Sequence, residues 1–320
     1  MGVSSINYNI RSFLLGKEVI SSPKKIFKVL YIFCIMKLLV VGDFHGELPS
    51  FIERIMKKEK IDLVVSNGDY LPFHYRKIWF KYCYGTGLEL WEVIGKKNYQ
   101  RLIDRELREG ENVLKKLNKL SVPVITVLGN ADYSDPDDVA DYGILPGQIE
   151  KSSWNFEKNR KDYFANLIKK YKNIHRIDYK SFSYRNLVFI GARGHSYPGI
   201  EESNAFSRSL KILSMLFKKF SKENKSGEVI FLSHNVPYKT KLDKIGMKAN
   251  KLVRGKHYGS KLVRKIIDKF QPVLHIGGHI HESRGVQKLR KTLCLNLGAL
   301  HDKHYSIVEI DNRKVKVKMG

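Results

Sequence analysis

Residues 38–46 read Leu38-Leu39-Val40-Val41-Gly42-Asp43-Phe44-His45-Gly46. Four consecutive apolar residues without alternation form a strand-sized run covered on both faces, as in a parallel sheet between layers. The glycines flanking Asp43, Phe44 and His45 permit a tight turn and let the backbone approach whatever the carboxylate and imidazole hold. An apolar run, a sharp turn and ligand-type side chains make up one unit, and its recurrence decides the fold.

The unit returns along the chain. Residues 63–65 precede Asn67-Gly68-Asp69, and 122–128 precede Gly129-Asn130-Ala131-Asp132. Residues 229–232 precede Ser233-His234-Asn235, and 273–276 precede Gly277-Gly278-His279-Ile280-His281. A further run, 187–190, leads into Gly191-Ala192-Arg193-Gly194-His195. Helical stripes lie between the runs: Phe51, Ile52, Ile55 and Met56; Ile103, Leu107, Leu114 and Leu117; Tyr163, Phe164, Leu167, Ile168 and Tyr171; Phe206, Leu210, Leu213, Phe217 and Phe220; Leu262, Val263, Ile266, Ile267 and Phe270. Their spacing predicts core-facing helices, the first opened by a capping box of Ser50 and Glu53. Strand and helix in alternation give an α/β fold. Residues 286–289, 293–297, 306–310 and 315–318 read as short strands and predict an antiparallel finish.

The 320 residues, 42% hydrophobic and 28% charged, suit a single globular domain and exclude wholesale disorder. We expect the domain to occupy 36–320, with 1–35 an N-terminal extension or upstream start and Met36 the natural beginning. The polar stretch 132–153 predicts an ordered surface insertion. Three cysteines (Cys34, Cys83, Cys294) form no paired spacing, which argues against a disulfide scaffold or cysteine zinc site and fits a cytoplasmic protein. No run reaches the ~18 apolar residues of a membrane span, so no membrane partner is expected. A net charge of +26 favours anionic partners, nucleic acid among them. Part of that surplus lies in 239–269, which holds eleven Lys or Arg against Asp243 and Asp268 and should border the site.

In open α/β sheets ligands gather beyond the carboxyl ends of the strands, so the side chains ending these runs should converge. Asp43, His45, Asp69, Asn130, His234, His279 and His281 offer hard oxygens and imidazole nitrogens without thiolate. That donor set suits Mn²⁺, Fe, Zn²⁺ or Co²⁺. Seven ligands are too many for one ion and suit two that share a carboxylate.

These motifs, in this order, resemble the calcineurin-like metallophosphoesterase superfamily. The phrases at 238–243, 257–260 and 270–272 look like its prokaryotic Icc-related branch. The resemblance implies a four-layer αββα sandwich with a two-metal centre at one rim; we expect two divalent metal ions there, Mn²⁺ first, with Fe, Zn²⁺ or Co²⁺ as alternatives. It implies that Asp43, His45 and His281 hold the first ion, that Asn130, His234 and His279 hold the second, and that Asp69 bridges. The implied activity is hydrolysis of phosphodiesters or phosphomonoesters by a bridging hydroxide, on a phosphorylated small molecule or nucleotide. A nuclease using the same centre and a weakly catalytic interaction module on the same fold are the alternatives. One position departs from the family: Ala131 stands where many members carry a histidine that contacts phosphate and assists the leaving group. His195 is the expected replacement and Arg193 the expected phosphate donor. His74, His257 and His301 are weaker candidates, and His175, His275 and His304 read as structural.

Overall fold

The computed structural model describes residues 35–132, 163–196, 198–223, 228–311 and 314–320. The N-terminal extension through residue 34 and most of the surface insertion expected at 132–153 lie outside these residues. Twelve strands form two six-stranded sheets among the described residues. The first has the order β12 (Lys314–Met319), β11 (Ser306–Asp311), β1 (Met36–Val41), β2 (Leu63–Ser66), β3 (Val124–Thr126), β4 (Ile174–Arg176). The second runs β5 (Ser181–Tyr184), β6 (Leu187–Ala192), β7 (Glu228–Asn235), β8 (Leu274–Gly278), β10 (Thr292–Asn296), β9 (Gly285–Leu289).

Side-chain alternation explains why the strands are apolar at every position. From β1, Leu38 and Val40 join Leu63, Val65, Phe189, Leu232 and Ile276 in the layer between the sheets. Leu39 and Val41 point the other way, into a cluster with Ile52 of α1 (Phe51–Glu59) and Leu114 of α4 (Lys96–Asn118). On the far side Val188, Ile190 and Phe231 meet Leu213 of α6 (Asn204–Glu223) and Ile266 of α7 (Lys261–Phe270). Three apolar layers between helices, sheet, sheet and helices make the expected αββα sandwich. No helix among the described residues is long and apolar enough to cross a membrane.

Several local expectations are corrected. Ser50 begins α1 but makes no side-chain cap, whereas Ser260 caps α7 by accepting from the Val263 N–H. The four C-terminal strands form, yet they divide between the sheets. β10 runs parallel to β8, while β11 lies antiparallel to β1 and β12 to β11. Two strands, β4 and β5, escape the sequence pattern because they are short and partly polar. Between β2 and α4 the chain forms two short helices without amphipathic periodicity, α2 (Arg76–Tyr82) and α3 (Leu90–Ile94); α5 (Tyr163–Ile168) follows α4 in the described chain.

Candidate metal centre

The loops leaving β1, β2, β3 and β8, together with the end of β7, meet at one rim of the sandwich. The chain reverses there so tightly that four of its polar side chains sit on left-handed backbone: Asp43 (φ 49°), His45 (47°), Asp69 (55°) and His279 (72°). Such conformations are costly for non-glycine residues and persist where surroundings over-determine them. Here the surroundings are backbone bonds from Asp43 N–H to the Gly68 carbonyl (2.8 Å) and from His45 N–H to the Asp69 carbonyl (3.0 Å). Glycine provides the rest of the room. A Cβ on Gly129 would stand 2.0 Å from Asp69 Oδ1, and one on Gly278 would stand 2.5 Å from Asp43 Oδ2.

Two groups of donors result. Asp43, His45 and His281 place one ligand atom each within 4.8 Å of one another, and so do Asp43, Asp69 and His234. His281 Nε2 lies 3.0 Å from Asp43 Oδ1, with the His45 ring 5.3 Å from the His281 ring. In the second group, His234 Nε2 faces Asn130 Oδ1 at 2.7 Å, His279 Nδ1 at 3.2 Å and Asp69 Oδ2 at 3.6 Å. An amide oxygen, two imidazole nitrogens and a carboxylate thus surround one point. The opposite nitrogen, His234 Nδ1, donates to the Asn67 carbonyl at 2.9 Å, which leaves Nε2 with its lone pair outward, the tautomer a metal-ligating histidine needs. Asp43 is common to both groups, and Asp69, the bridge that the family resemblance implies, belongs to the second. Asp69 sits beside His234, and its charge also reaches His45.

Electrostatics match a site built for cations. Burial alone would raise the Asp43 carboxyl, but the charge and hydrogen bond of His281, with His234 and His45 beyond, hold it well below the ordinary carboxylate range. Burial pushes His45 down, and burial with the neighbouring His234 pushes His279 down further. His281 is also buried, yet Asp43 raises it. Neutral imidazoles and ionised carboxylates are the protonation states that bind a divalent ion; Asp43, His45 and His279 are biased toward them, while His281, which Asp43 biases toward the charged ring, would release a proton to an ion, so the donor set fits the implied metals.

Two residues with supporting roles went unread in the sequence. Asn67 spans the centre, donating Nδ2–H to Asp43 Oδ2 at 3.0 Å while its carbonyl orients His234. Asp132 is fully buried and clamps two loops. Its Oδ2 accepts from the N–H groups of Asp69 and Gly129 (both 2.8 Å), its Oδ1 from those of Tyr70 (2.7 Å) and Leu71 (3.2 Å). Burial and the Asp69 charge push its carboxyl up to about 7, opposed by these bonds. Since each oxygen already receives two N–H groups, the ionised form is the one the geometry accommodates. The signal was its place two residues after Asn130, but its partners are backbone groups that leave no mark in side-chain identity.

Arg193 and His195 flank Gly194 on the loop after β6, and the His195 charge is felt at His279. Neither lines the cavity at the centre. Arg193 packs over the Tyr179 ring at 5.8 Å, and His195 Nε2 lies 2.8 Å from the Ser260 hydroxyl that caps α7. Gly194 between them does press on the centre: a Cβ there would stand 2.5 Å from His234 Cδ2 and 2.7 Å from the Asn130 nitrogen. Among the described residues of this loop Ser196 reaches the cavity, its hydroxyl accepting from Asn130 Nδ2–H at 3.3 Å. Among the weaker candidates, His301 stands beside His45 with ring centroids 6.1 Å apart. His74 pairs with Glu109 at 2.8 Å and His257 with Asp243 at 2.7 Å. His275 is structural: Ser233 Oγ–H donates to the Asn235 carbonyl, so its oxygen accepts from His275 Nε2–H at 2.7 Å.

The cavity has a volume of about 680 Å³. His45, Asp69, Asn130, Ala131, His279 and His281 close one end, and the segments 73–84 and 245–258 wall the other. Ala131 points no acid at it, and its N–H donates to Asp69 Oδ1 at 2.8 Å, leaving Oδ2 toward His234. The basic stretch 239–269 borders the cavity through Ile245, Ala249, Asn250, Val253 and Tyr258, while the cations on the wall are Arg76 and Lys77.

Comparison with known proteins sets the chain among relatives. The sequence model of one family, calcineurin-like phosphoesterase, matches residues 36–283. An uncharacterised protein of Methanocaldococcus jannaschii is 26% identical over 266 residues, 82% of this chain and 87% of the relative. One solved crystal structure aligns with a TM-score of 0.60 at 17% identity, covering 89% of this chain and 98% of the other. The crystal structure of TT1561 of Thermus thermophilus aligns with a TM-score of 0.51 at 14% identity and the same coverage. At those identities the two structures speak for the fold alone.

Proposed function

The chain belongs to the calcineurin-like phosphoesterase family and is a metal-dependent hydrolase of phosphoric esters; from that premise we propose that it cleaves phosphodiesters or phosphomonoesters with two divalent ions, Mn²⁺ foremost. Asp43, His45 and His281 would hold one ion, and Asn130, His234 and His279 the other. A carboxylate would lie between them, Asp69 by motif, with Asp43 near enough to both groups to share the task. The observation that carries this reading is the convergence of three donors on His234 Nε2, an atom whose proton is already assigned to the opposite nitrogen. When bound, a pair of such ions polarises phosphoryl oxygens and makes water acidic enough to supply hydroxide near neutral pH.

The chain's own residues set the remaining terms. Asn67 fixes the Asp43 carboxylate and the His234 ring, so the donors are in place before any ligand arrives. Ala131 N–H holds Asp69 Oδ1, and its methyl group brings no proton to a departing alkoxide. General acid assistance is commonly worth about 10²–10⁴-fold, so esters whose leaving group is stable as an anion should be preferred. Hydrolysis of an activated aryl phosphoester in the presence of Mn²⁺, lost in Asp69→Ala and His234→Ala, tests the proposal. Inactivity toward both ester classes across Mn²⁺, Fe²⁺, Zn²⁺ and Co²⁺ would overturn it.

A further inference from the structure

The end of the cavity away from the metal-centre residues has a chemistry of its own. Segment 73–84 contributes a continuous run of rings: Phe73 and Trp79 have centroids 6.2 Å apart, Trp79 and Phe80 5.1 Å, Trp79 and Tyr84 5.2 Å, Phe80 and Tyr84 5.3 Å. All four line the cavity. Core packing does not account for them. Trp79 touches the apolar layer under α1 and α4, but Phe73, Phe80 and Tyr84 belong to none of the three core clusters, and α2 buries no residue fully. The Tyr84 hydroxyl meets that of Tyr258 at 3.0 Å, joining this wall to the facing segment.

Arg76 stands where the two halves meet. Its guanidinium lies 5.7 Å from the Phe80 centroid, it lines the cavity, and no described carboxylate pairs with it. Its charge is felt at His281. An anion held at the metal end is therefore met by a cation on its way to a surface of exposed ring faces and edges. Aromatic walls favour flat partners, because stacked or edge-on rings attract one another beyond what the area they bury accounts for.

Resting on the hydrolase reading above, we propose that this half of the cavity is a subsite for a planar aromatic ring carried on the phosphate. The substrate is then an aryl or nucleoside phosphoester, with the ring on Phe73, Phe80 and Tyr84 and Arg76 over the linkage. A volume of about 680 Å³ holds a group of nucleotide size beside the centre.

Binding of phosphonates, which resist hydrolysis, to the full chain with Mn²⁺ tests this by calorimetry, independently of turnover. Phenylphosphonate and cyclohexylphosphonate match in size and differ in flatness. The subsite requires phenyl to bind tighter than cyclohexyl by about threefold or more. The methylene-phosphonate analogue of adenosine 5′-monophosphate should exceed that of ribose 5-phosphate by about tenfold if the ring is a base. A preference in either pair supports the proposal and names the source of the ring, aryl or nucleoside. Phe80→Ala, at a half-buried position outside the core, should erase the preference while leaving methylphosphonate within twofold. Indifference in both pairs, or a preference that survives Phe80→Ala, overturns the subsite. If hydrolysis with Mn²⁺ is intact and binding ignores rings, the subsite alone fails; if rings are preferred and no ester is cleaved, the activity alone fails.

Discussion

Asp132→Asn is the substitution whose cost the structure defines most closely. The change keeps size and shape but replaces one oxygen by an NH₂ group. Each carboxylate oxygen now accepts two backbone N–H groups, Tyr70 and Leu71 on one side, Asp69 and Gly129 on the other. Whichever way the amide turns, two buried donors face a third donor. Leaving a buried N–H unsatisfied costs about 1–3 kcal/mol, so the variant should lose about 2–6 kcal/mol out of a total that is typically about 5–15 kcal/mol. The loops it ties are those of Asp69 and Asn130, so metal affinity should fall with stability. Urea unfolding at pH 7 reads the first effect as a lower midpoint at unchanged slope, and a Mn²⁺ titration reads the second. A loss under about 1 kcal/mol with metal loading unchanged would show that Asp132 carries a proton in the folded protein and that the clamp is not an ionised carboxylate.

Three further outcomes follow from the same geometry. Ala131→His restores an acid at the cavity wall and should speed alkyl esters more than nitrophenyl esters, recovering part of the 10²–10⁴-fold available to general acids; an unchanged ratio between the two esters would show that the position does not face the leaving group. Gly194→Ala puts a methyl group within 2.5 Å of His234 Cδ2 and 2.7 Å of the Asn130 nitrogen, so affinity for one of two ions should fall about 10–100-fold, seen by elemental analysis as the loss of one equivalent; two equivalents retained would refute the crowding. His275, fully buried, is held down to about 3 by burial, so between pH 6.5 and 3 the unfolded chain takes up a proton the folded one refuses. Stability from this residue is present above pH 6.5 and lost as pH falls, about 2 kcal/mol between pH 7 and pH 5. His275→Gln, which keeps a donor for Ser233, should flatten that portion of the pH dependence, and an identical slope in both proteins would show that the folded-state imidazole takes up its second proton as readily as the unfolded one.

The parts legible in the sequence are those where one residue's identity serves one purpose. Apolar runs without alternation revealed both sheets, since Leu38 and Leu39 each find a hydrophobic layer on their own side. The polar residues ending those runs revealed the rim. What stayed unread depends on partners far along the chain or on backbone. Asp132 acts through four N–H groups, and Asn67 through its own carbonyl as much as its side chain. His195 is positioned by Asn235 on its N–H and by the Ser260 hydroxyl on its ring, partners 40 and 65 residues away. The aromatic wall had no period to betray it, because α2 spans only seven residues and packs one side of a cavity instead of a core. Likewise the C-terminal strands were visible as strands, while their division between two sheets is fixed by which neighbours remain open, a property of the assembled fold.

The rim concentrates features that oppose folding. Asp43, Asp69 and Asp132 are all nearly or fully buried, and four non-glycine residues hold left-handed backbone at about 1–3 kcal/mol each. Uncompensated, such a cluster would relax, and bound cations offset its charge only if the donors wait at the right spacing. The spacing is therefore enforced by groups that take no ligand: glycines too close to admit a side chain, the Asn67 carbonyl on His234, and the Asp132 clamp. None of these braces is a residue of segment 73–84, whose rings pack on one another along the cavity, with Trp79 also against the core and Tyr84 on Tyr258. Chemistry thus resides in the rigid strand ends, and selection among substrates falls to a wall that can be altered without disturbing them. For that reason substitutions at Phe80 or Arg76 should change which ester is cleaved, whereas substitutions at Gly194 or Asp132 should change whether any is.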